Sequence, residues 1–177
     1  METAFELFAQ NGVNFSLTEV GEMVGIKKAS IYAHFENKEA LIKSVIEAEM
    51  EKYYFEIDRQ NNDLKKIFFG VLDYYGDSRS RLLFWKRLLL IPPIGLDDEI
   101  LSKLSGFTEK RYEIVKMLVA NEIKNYVIKC SDEEEISLMF FSLINGLLSS
   151  VLIYHPQDIT AHYESIWNNF WRGITVR

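Results

Sequence analysis

Apolar side chains recur at steps of three and four along most of this chain, the period of helices packed on one side. From Glu2 to Gln10, Ala4, Phe5, Leu7 and Phe8 fall on one broad face, and Asn11-Gly12 closes the segment. Ser16-Leu17-Thr18-Glu19 is a capping box that starts a short second helix ending at Gly25. Lys27-Lys28-Ala29-Ser30 opens a third helix, with Ile31 and Phe35 as its buried side. Two short helices joined at a glycine turn form a helix-turn-helix pattern. Asn37 then caps a longer fourth helix with Glu39 in its first turn and Leu41, Ile42, Val45 and Ile46 as apolar rows, running toward Arg59.

Gln60-Asn61-Asn62 breaks the pattern, Asp63 caps the next helix, and Leu64, Ile67, Phe68, Val71, Leu72 and Tyr75 carry it to Gly76. A helix from Ser80 to Ile91 is cut by Pro92-Pro93, because neither proline offers an N–H and the second bars helical backbone at the first. Asp97 to Lys129 is helical again, with an interruption expected around Ser105-Gly106. Ser131-Asp132-Glu133-Glu134 reads as a second capping box, starting a helix that reaches Tyr154. That helix has two apolar stripes, Ile136, Phe140, Leu143, Leu147 and Val151 on one and Leu138, Phe141, Leu148 and Leu152 on the other, so it needs two burial partners. Pro156-Gln157-Asp158 turns the chain into a last helix with Ile159, Tyr163, Ile166, Phe170 and Ile174 at helical spacing. The pattern predicts an all-α fold: a three-helix head over residues 1–45, then a larger helical body over 46–177.

Composition narrows the function. The 177 residues suffice for a small head fused to one helical body, and a hydrophobic share of 48% supports a real core. A single Cys130 excludes an internal disulfide framework, and three scattered histidines give no metal-ligand spacing, so no metal or cofactor is expected. No charged-then-apolar leader opens the chain, and the apolar stretches are read as broken before the roughly 18 residues of a membrane span. A soluble cytoplasmic protein without membrane attachment is expected. With a net charge of −6 and a pI near 5.2, any nucleic-acid contact must be local, since non-specific phosphate binding needs a basic surface. No nucleophile motif, phosphate loop or paired acid and base is present, so the chain is not expected to be an enzyme.

The run from Gly25 to Leu41, Gly-Ile-Lys-Lys-Ala-Ser-Ile-Tyr-Ala-His-Phe-Glu-Asn-Lys-Glu-Ala-Leu, closely resembles the head signature of the TetR family of transcriptional regulators. Upstream, Phe5 to Gly12 looks like that family's first helix, and Val20 to Gly25 fills the place of its second. The resemblance spans some forty positions of the head, and the body carries no such motif. It implies that Lys28, Ala29, Ser30, Tyr32 and His34 occupy the DNA interface, joined by Lys27, Ser16 and Thr18, with Lys38 touching phosphate at the start of the fourth helix. Recognition helices put their N-terminal residues at base edges, while lysines, hydroxyls and helix starts hold phosphates.

Three departures from the pattern matter. Lys27 stands where the family has a capping serine, and Ala29 where glycine is common. The head to Val45 carries four lysines against six glutamates, a formal net of −2. Met1 falls inside what resembles the first helix, where relatives carry a further turn and a basic arm, so a missing N-terminal segment is expected.

The resemblance further implies a dimer and a small-molecule effector. The expected dimer is a four-helix bundle of the last two helices and their copies, through Phe140, Leu143, Leu147, Val151, Ile166 and Phe170. Ser142, Asn145, Gly146, Ser149 and Ser150 allow close approach of backbones. Candidate ligand-lining residues are Phe68, Tyr75, Phe84, Trp85, Phe107, Tyr112 and Phe140, although ordinary packing is the better reading for each aromatic taken singly. The function expected is a ligand-responsive regulator, a repressor that binds a palindromic operator in double-stranded DNA as a homodimer and is released by a small apolar effector. The alternative is a helical interaction protein of the same fold that has lost operator binding.

Overall fold

The computed structural model describes residues 1–56, 63–94, 96–129, 132–154 and 159–176. The described residues are helical almost throughout, and their one sheet-like feature is an isolated antiparallel bridge between Ile128 and Thr175. The helices are α1 (Glu2–Asn11), α2 (Leu17–Val24), α3 (Lys28–Tyr32), α4 (Lys38–Glu56), α5 (Leu64–Gly76), α6 (Arg79–Leu90), α7 (Asp98–Lys124), α8 (Glu133–Tyr154) and α9 (Tyr163–Ile174), the last preceded by a 3-10 turn at Thr160–His162. By its contacts the chain forms two compact units: Met1–Phe55 with Ser78–Ser105, and Glu56–Asp77 with Gly106–Arg177.

Local chemistry accounts for the helix starts. Ser16 Oγ accepts from Glu19 N at 3.1 Å and Glu19 Oε2 accepts from Ser16 N at 2.6 Å, the reciprocal box that satisfies two otherwise orphaned N–H groups. Asn37 Oδ1 accepts from Ala40 N at 2.7 Å, Asp63 Oδ1 from Lys66 N at 2.9 Å and Asp97 Oδ1 from Ile100 N at 2.8 Å. At α8 the cap is Asp132, whose Oδ1 accepts from Glu134 N and Glu135 N at 2.9 and 3.2 Å. Ser131 of the expected box lies outside the described residues, as do Cys130, His155 and the break at 60–62. Gly25 ends α2 with φ +72°, the left-handed conformation that glycine takes without a Cβ penalty, so the turn into α3 is tight.

Several expectations are corrected. α7 runs unbroken through Ser105-Gly106, since a lone glycine costs a helix only about 1 kcal/mol and packing overrides it. It ends at Lys124 rather than near Lys129, and Val127 to Lys129 instead pair with the end of α9, with Lys129 N donating to Ile174 O and Val176 N to Val127 O, both at 2.9 Å. α3 stops at Tyr32, leaving His34 and Phe35 in the turn behind it. α8 carries no charged residue from Ile136 to Tyr154, and it is long and apolar enough by length and composition to cross a membrane, so the stretch is not broken as short as read.

The first unit is organised around aromatic contacts of α1 with α6. Phe5 and Phe8 each lie 5.1 Å from the Phe84 ring, and Trp85 meets Phe84 edge-on at 5.7 Å and Tyr53 of α4 at 6.1 Å. Burying side chains of this size stabilises by roughly 1.5–3 kcal/mol each. Arg87 of α6 donates to Gln10 O at 2.9 Å beside Gly12, and so closes the end of α1. In the second unit Phe68 packs on Trp167 at 5.3 Å and Phe140 on Phe170 at 6.2 Å.

Candidate DNA-binding face and helical body

Ile31 is the buried anchor of α3, and Leu17, Val20 and Gly21 are those of α2. With these side chains turned inward, Ser16, Thr18, Lys27, Ala29, Ser30, Tyr32 and His34 are all exposed, and Tyr32 is 47% accessible despite its size. The residues named from the sequence are therefore brought onto the accessible surface of one helix-turn-helix. Lys28 opens α3 in the backbone. Lys27 is its N-cap, and its exposed ammonium, a donor only, has no acceptor to offer the helix N–H groups. Ser16 Oγ uses acceptor capacity in the capping box, so its hydroxyl proton remains available to donate.

Lys38 is placed differently. Its Nζ donates to Val13 O at 2.8 Å and lies 5.8 Å from the centroid of the Phe15 ring, and the side chain is half-buried. It ties the start of α4 to the loop between α1 and α2, and its charge-assisted bond is a structural contact. Sequence reasoning missed this role because nothing local signals a bond reaching 25 residues back. It also missed the exposed apolar rim of Met23, Val24 and Ile26 at the turn. Val24 falls on the Leu17, Val20 and Gly21 stripe by spacing, yet the structure leaves it open.

The glutamates that make the head acidic sit apart from this face in part. Glu2 and Glu6 line a cavity of about 450 Å³ between α1, α4 and the start of α6, together with Glu49 of α4, Lys52 and Arg81. Glu6 accepts from Ser80 Oγ, and Glu49, 4% accessible, pairs with Lys52. Glu19 is occupied by the capping box.

The aromatic residues named as ligand-lining are divided between the two units. Phe84 and Trp85 belong to the core of the first unit, against Phe5, Phe8 and Tyr53. Phe68, Tyr75, Phe107, Tyr112 and Phe140 lie in the second unit, where all but Tyr112 are buried. Tyr112 stacks on Phe141 at 5.6 Å and donates to Glu134 Oε1 at 2.7 Å, a bond that raises its pKa.

The expected dimer residues split as well. Phe140 is 0% accessible within the chain, so it is an internal core residue in contact with Phe141 and Phe170. Leu143, Leu147, Val151, Ile166 and Phe170 are half-exposed. Burial along α8 follows Ile136, Phe140, Ile144 and Leu148, and the opposite arc, with Leu138, Met139 and Ile153 beside Ser142 and Gly146, stays open. Among the described residues no group of three or more His, Cys, Asp or Glu is placed to hold a metal ion.

Among the described residues the fold is a helix-turn-helix head with a polar, accessible α3, followed by a helical body. Residues 1–45 match the family of bacterial regulatory proteins, tetR family, and the resemblance read from Gly25 to Leu41 is that of a tetR-type head. Solved structures agree over the full length. The KstR2 ketosteroid transcriptional regulator of Mycobacterium tuberculosis superposes with a TM-score of 0.77 at 15% identity, covering 99% of this chain and 93% of that one. A bacterial regulatory protein in the tetR family from Rhodococcus RHA1 gives 0.78 at 14%, covering 99% and 95%. The transcriptional regulator FadR from Bacillus subtilis in complex with stearoyl-CoA gives 0.71 at 17%, covering 98% and 96%. No curated protein matches the chain by sequence.

Proposed function

We propose that this protein is a ligand-responsive transcriptional repressor: a homodimer sets two heads on a palindromic operator, and a small, largely apolar effector in the helical body releases them. The observation that carries the reading is the exposed polar face of Ser16, Thr18, Lys27, Ser30, Tyr32 and His34 on a head that matches the tetR family. The division into a DNA-binding head over 1–45 and a ligand-binding and dimerisation body over 46–177 belongs to this proposal. So do the absence of a catalytic role and a cytoplasmic location, where the operator lies.

Dimerisation is supported by α8 and α9, which leave the apolar Leu143, Leu147, Val151, Ile166 and Phe170 half-exposed. These residues would form the seam. The outer arc of α8, with Leu138 at 53% and Ile153 at 63% accessible, lies on another side of the helix. The effector is supported by the aromatic content of the second unit, and by similar folds that include one solved with stearoyl-CoA. Coupling would act on the separation of the two recognition helices, which must match half-sites about one DNA turn apart. α4, which begins at Lys38 and reaches Tyr53, and α7, which runs unbroken through Ser105-Gly106, would carry it. A coupling of about 1–3 kcal/mol changes operator affinity roughly 5- to 150-fold.

The test is selection of a duplex from a random library, followed by titration over salt. A selected palindrome bound with a steep salt dependence supports the reading. The head's net of −2 favours a second reading, a fold retained for protein interaction alone. Selection that enriches no sequence, with weak binding indifferent to salt, would establish that one instead.

A further inference from the structure

A cavity of about 210 Å³ opens in the second unit where the start of α5, the last turns of α7 and one flank of α9 meet. At the roughly 30 Å³ that a water takes in the liquid, it has room for about seven waters, the scale of a small ion rather than a drug-sized effector. Its apolar wall includes Leu118 and two indoles, Trp167 and Trp171, whose rings are 5.4 Å apart and within 17° of parallel. Trp167 is buried and fixed by Phe68 and Phe170 at 5.3 and 5.8 Å, while Trp171 is half-exposed. Indole faces carry the strongest cation-attracting quadrupole among side chains.

The charges around this wall are unequal. Lys65 is matched by Glu164, with Nζ 2.6 Å from Oε1, and it also lies 5.6 Å from the Phe69 ring centroid. Asp63 spends Oδ1 on capping α5. The Glu122 carboxylate, half-buried on α7, has no hydrogen bond or ion pair among the described residues. With Lys65 neutralised by Glu164, two carboxylates line the cavity without a cation of their own among the described residues. A half-buried carboxylate left unpaired beside indoles costs desolvation energy that a bound cation would recover.

We propose that this cavity is a binding site for a small organic ammonium ion, with the cation seated against Trp167 and Trp171 and Glu122 as its counter-ion. The site is distinct from the seam assigned to the dimer in that none of its lining residues is among the seam residues, although Phe170 of the seam packs on Trp167. It is also separate from the apolar effector proposed above, since its lining is charged and its volume too small for one. Anions are disfavoured there by Glu122 and Asp63, and a neutral apolar molecule would leave Glu122 as it stands.

The test is titration of the full-length protein, without DNA, with tetramethylammonium chloride, followed by tryptophan fluorescence and calorimetry. Sodium chloride at matched ionic strength and tert-butanol serve as controls. A saturable signal with tetramethylammonium alone is expected, weakened at least tenfold in Glu122→Gln and lost in Trp171→Leu. No saturable signal, equal binding of tert-butanol, or a Glu122→Gln variant that binds as tightly as the parent would overturn the proposal. Glu122→Gln decides alone if circular dichroism finds Trp171→Leu unfolded. Since DNA is absent from every arm, failure here leaves the regulator reading standing, and failure to select an operator leaves this one standing.

Discussion

Two surfaces of this protein stay open for opposite reasons. Around α3 the accessible side chains include the polar or basic Lys27, Ser30, Tyr32 and His34, which water satisfies at no cost until something better arrives. Along the outer arc of α8 they are Leu138, Met139 and Ile153, which water satisfies poorly at all times. The first surface can wait for a partner, and the second favours a partner whenever the chain is folded. A polar face on a pre-built helix-turn-helix suits reversible, salt-sensitive binding to DNA, whereas an apolar helix face suits permanent association with its own copy.

The largest effect expected from breaking this contrast lies on α8. Leu147→Glu should turn a dimer into a monomer in sedimentation, because a charge in the seam costs at least about 2 kcal/mol, roughly 30-fold or more in dimer affinity. Operator binding should fall with it, since one head holds one half-site. A dimer that survives would move the seam off Leu147 and onto the outer arc of Leu138, Met139 and Ile153, which lies on another side of α8. On the polar face, Tyr32→Ala and His34→Ala should each weaken the selected operator by about 1–3 kcal/mol while leaving the dimer and the melting curve unchanged. Unaltered gel-shift affinity in both variants would remove α3 from the interface.

Legibility followed the same divide. The head could be read because each of its devices is local: the Ser16-Glu19 box, the left-handed Gly25, the Asn37 cap and the Ile31 anchor all act within about four residues. The caps of the body were equally legible at Asp63, and the cut at Pro92-Pro93 fell where α6 ends. What escaped was contact at long range. The packing of Phe84 and Trp85 on Phe5, Phe8 and Tyr53 has no local signal, and Phe140, expected in the seam, sits at the centre of a buried row. On α8 both stripes are apolar, so composition cannot say which side the chain covers and which a partner must cover. Periodicity names the faces of a helix, and only packing assigns them.

Lys38 sharpens the boundary between reading and packing. If its bond to Val13 O is its main role, Lys38→Ala should lower the head's stability by about 1.5–3 kcal/mol, the scale of a hydrogen bond from a charged group, visible as a lower urea midpoint. A phosphate role alone would leave the midpoint in place and reduce the salt slope of operator binding by about one unit. Ser16→Ala should cost less, about 1 kcal/mol, by removing one half of the capping box, and it should do so without touching dimerisation.

The smallest effect concerns the ion cluster that ties α4 to the first turns of α7. Lys43 lies 2.6 Å from Glu99 and 3.4 Å from Asp97, and Lys103 lies 2.8 Å from Glu99 and 2.6 Å from Glu47. The hydrogen bonds from Lys103 and then Lys43 hold the Glu99 carboxyl at about 2, against an ordinary value of 4.5, and the same contacts raise both lysines. Because the folded value of Glu99 is depressed, its contribution is present in full above the ordinary carboxylate range and is lost as pH falls from about 4.5 toward 2. The raised lysines act at the other end, so the cluster is constant from weak acid to the onset of lysine titration. All these charges face solvent, so salt screens them and their net worth is small. Glu99→Gln should therefore lower the urea midpoint slightly at pH 7 in low salt, with the gap to the parent narrowing as pH falls from 4.5 toward 2 and closing in concentrated salt at pH 7. A gap that ignores both pH and salt would mean that Glu99 acts through packing, and the clasp between α4 and α7 would then not be electrostatic.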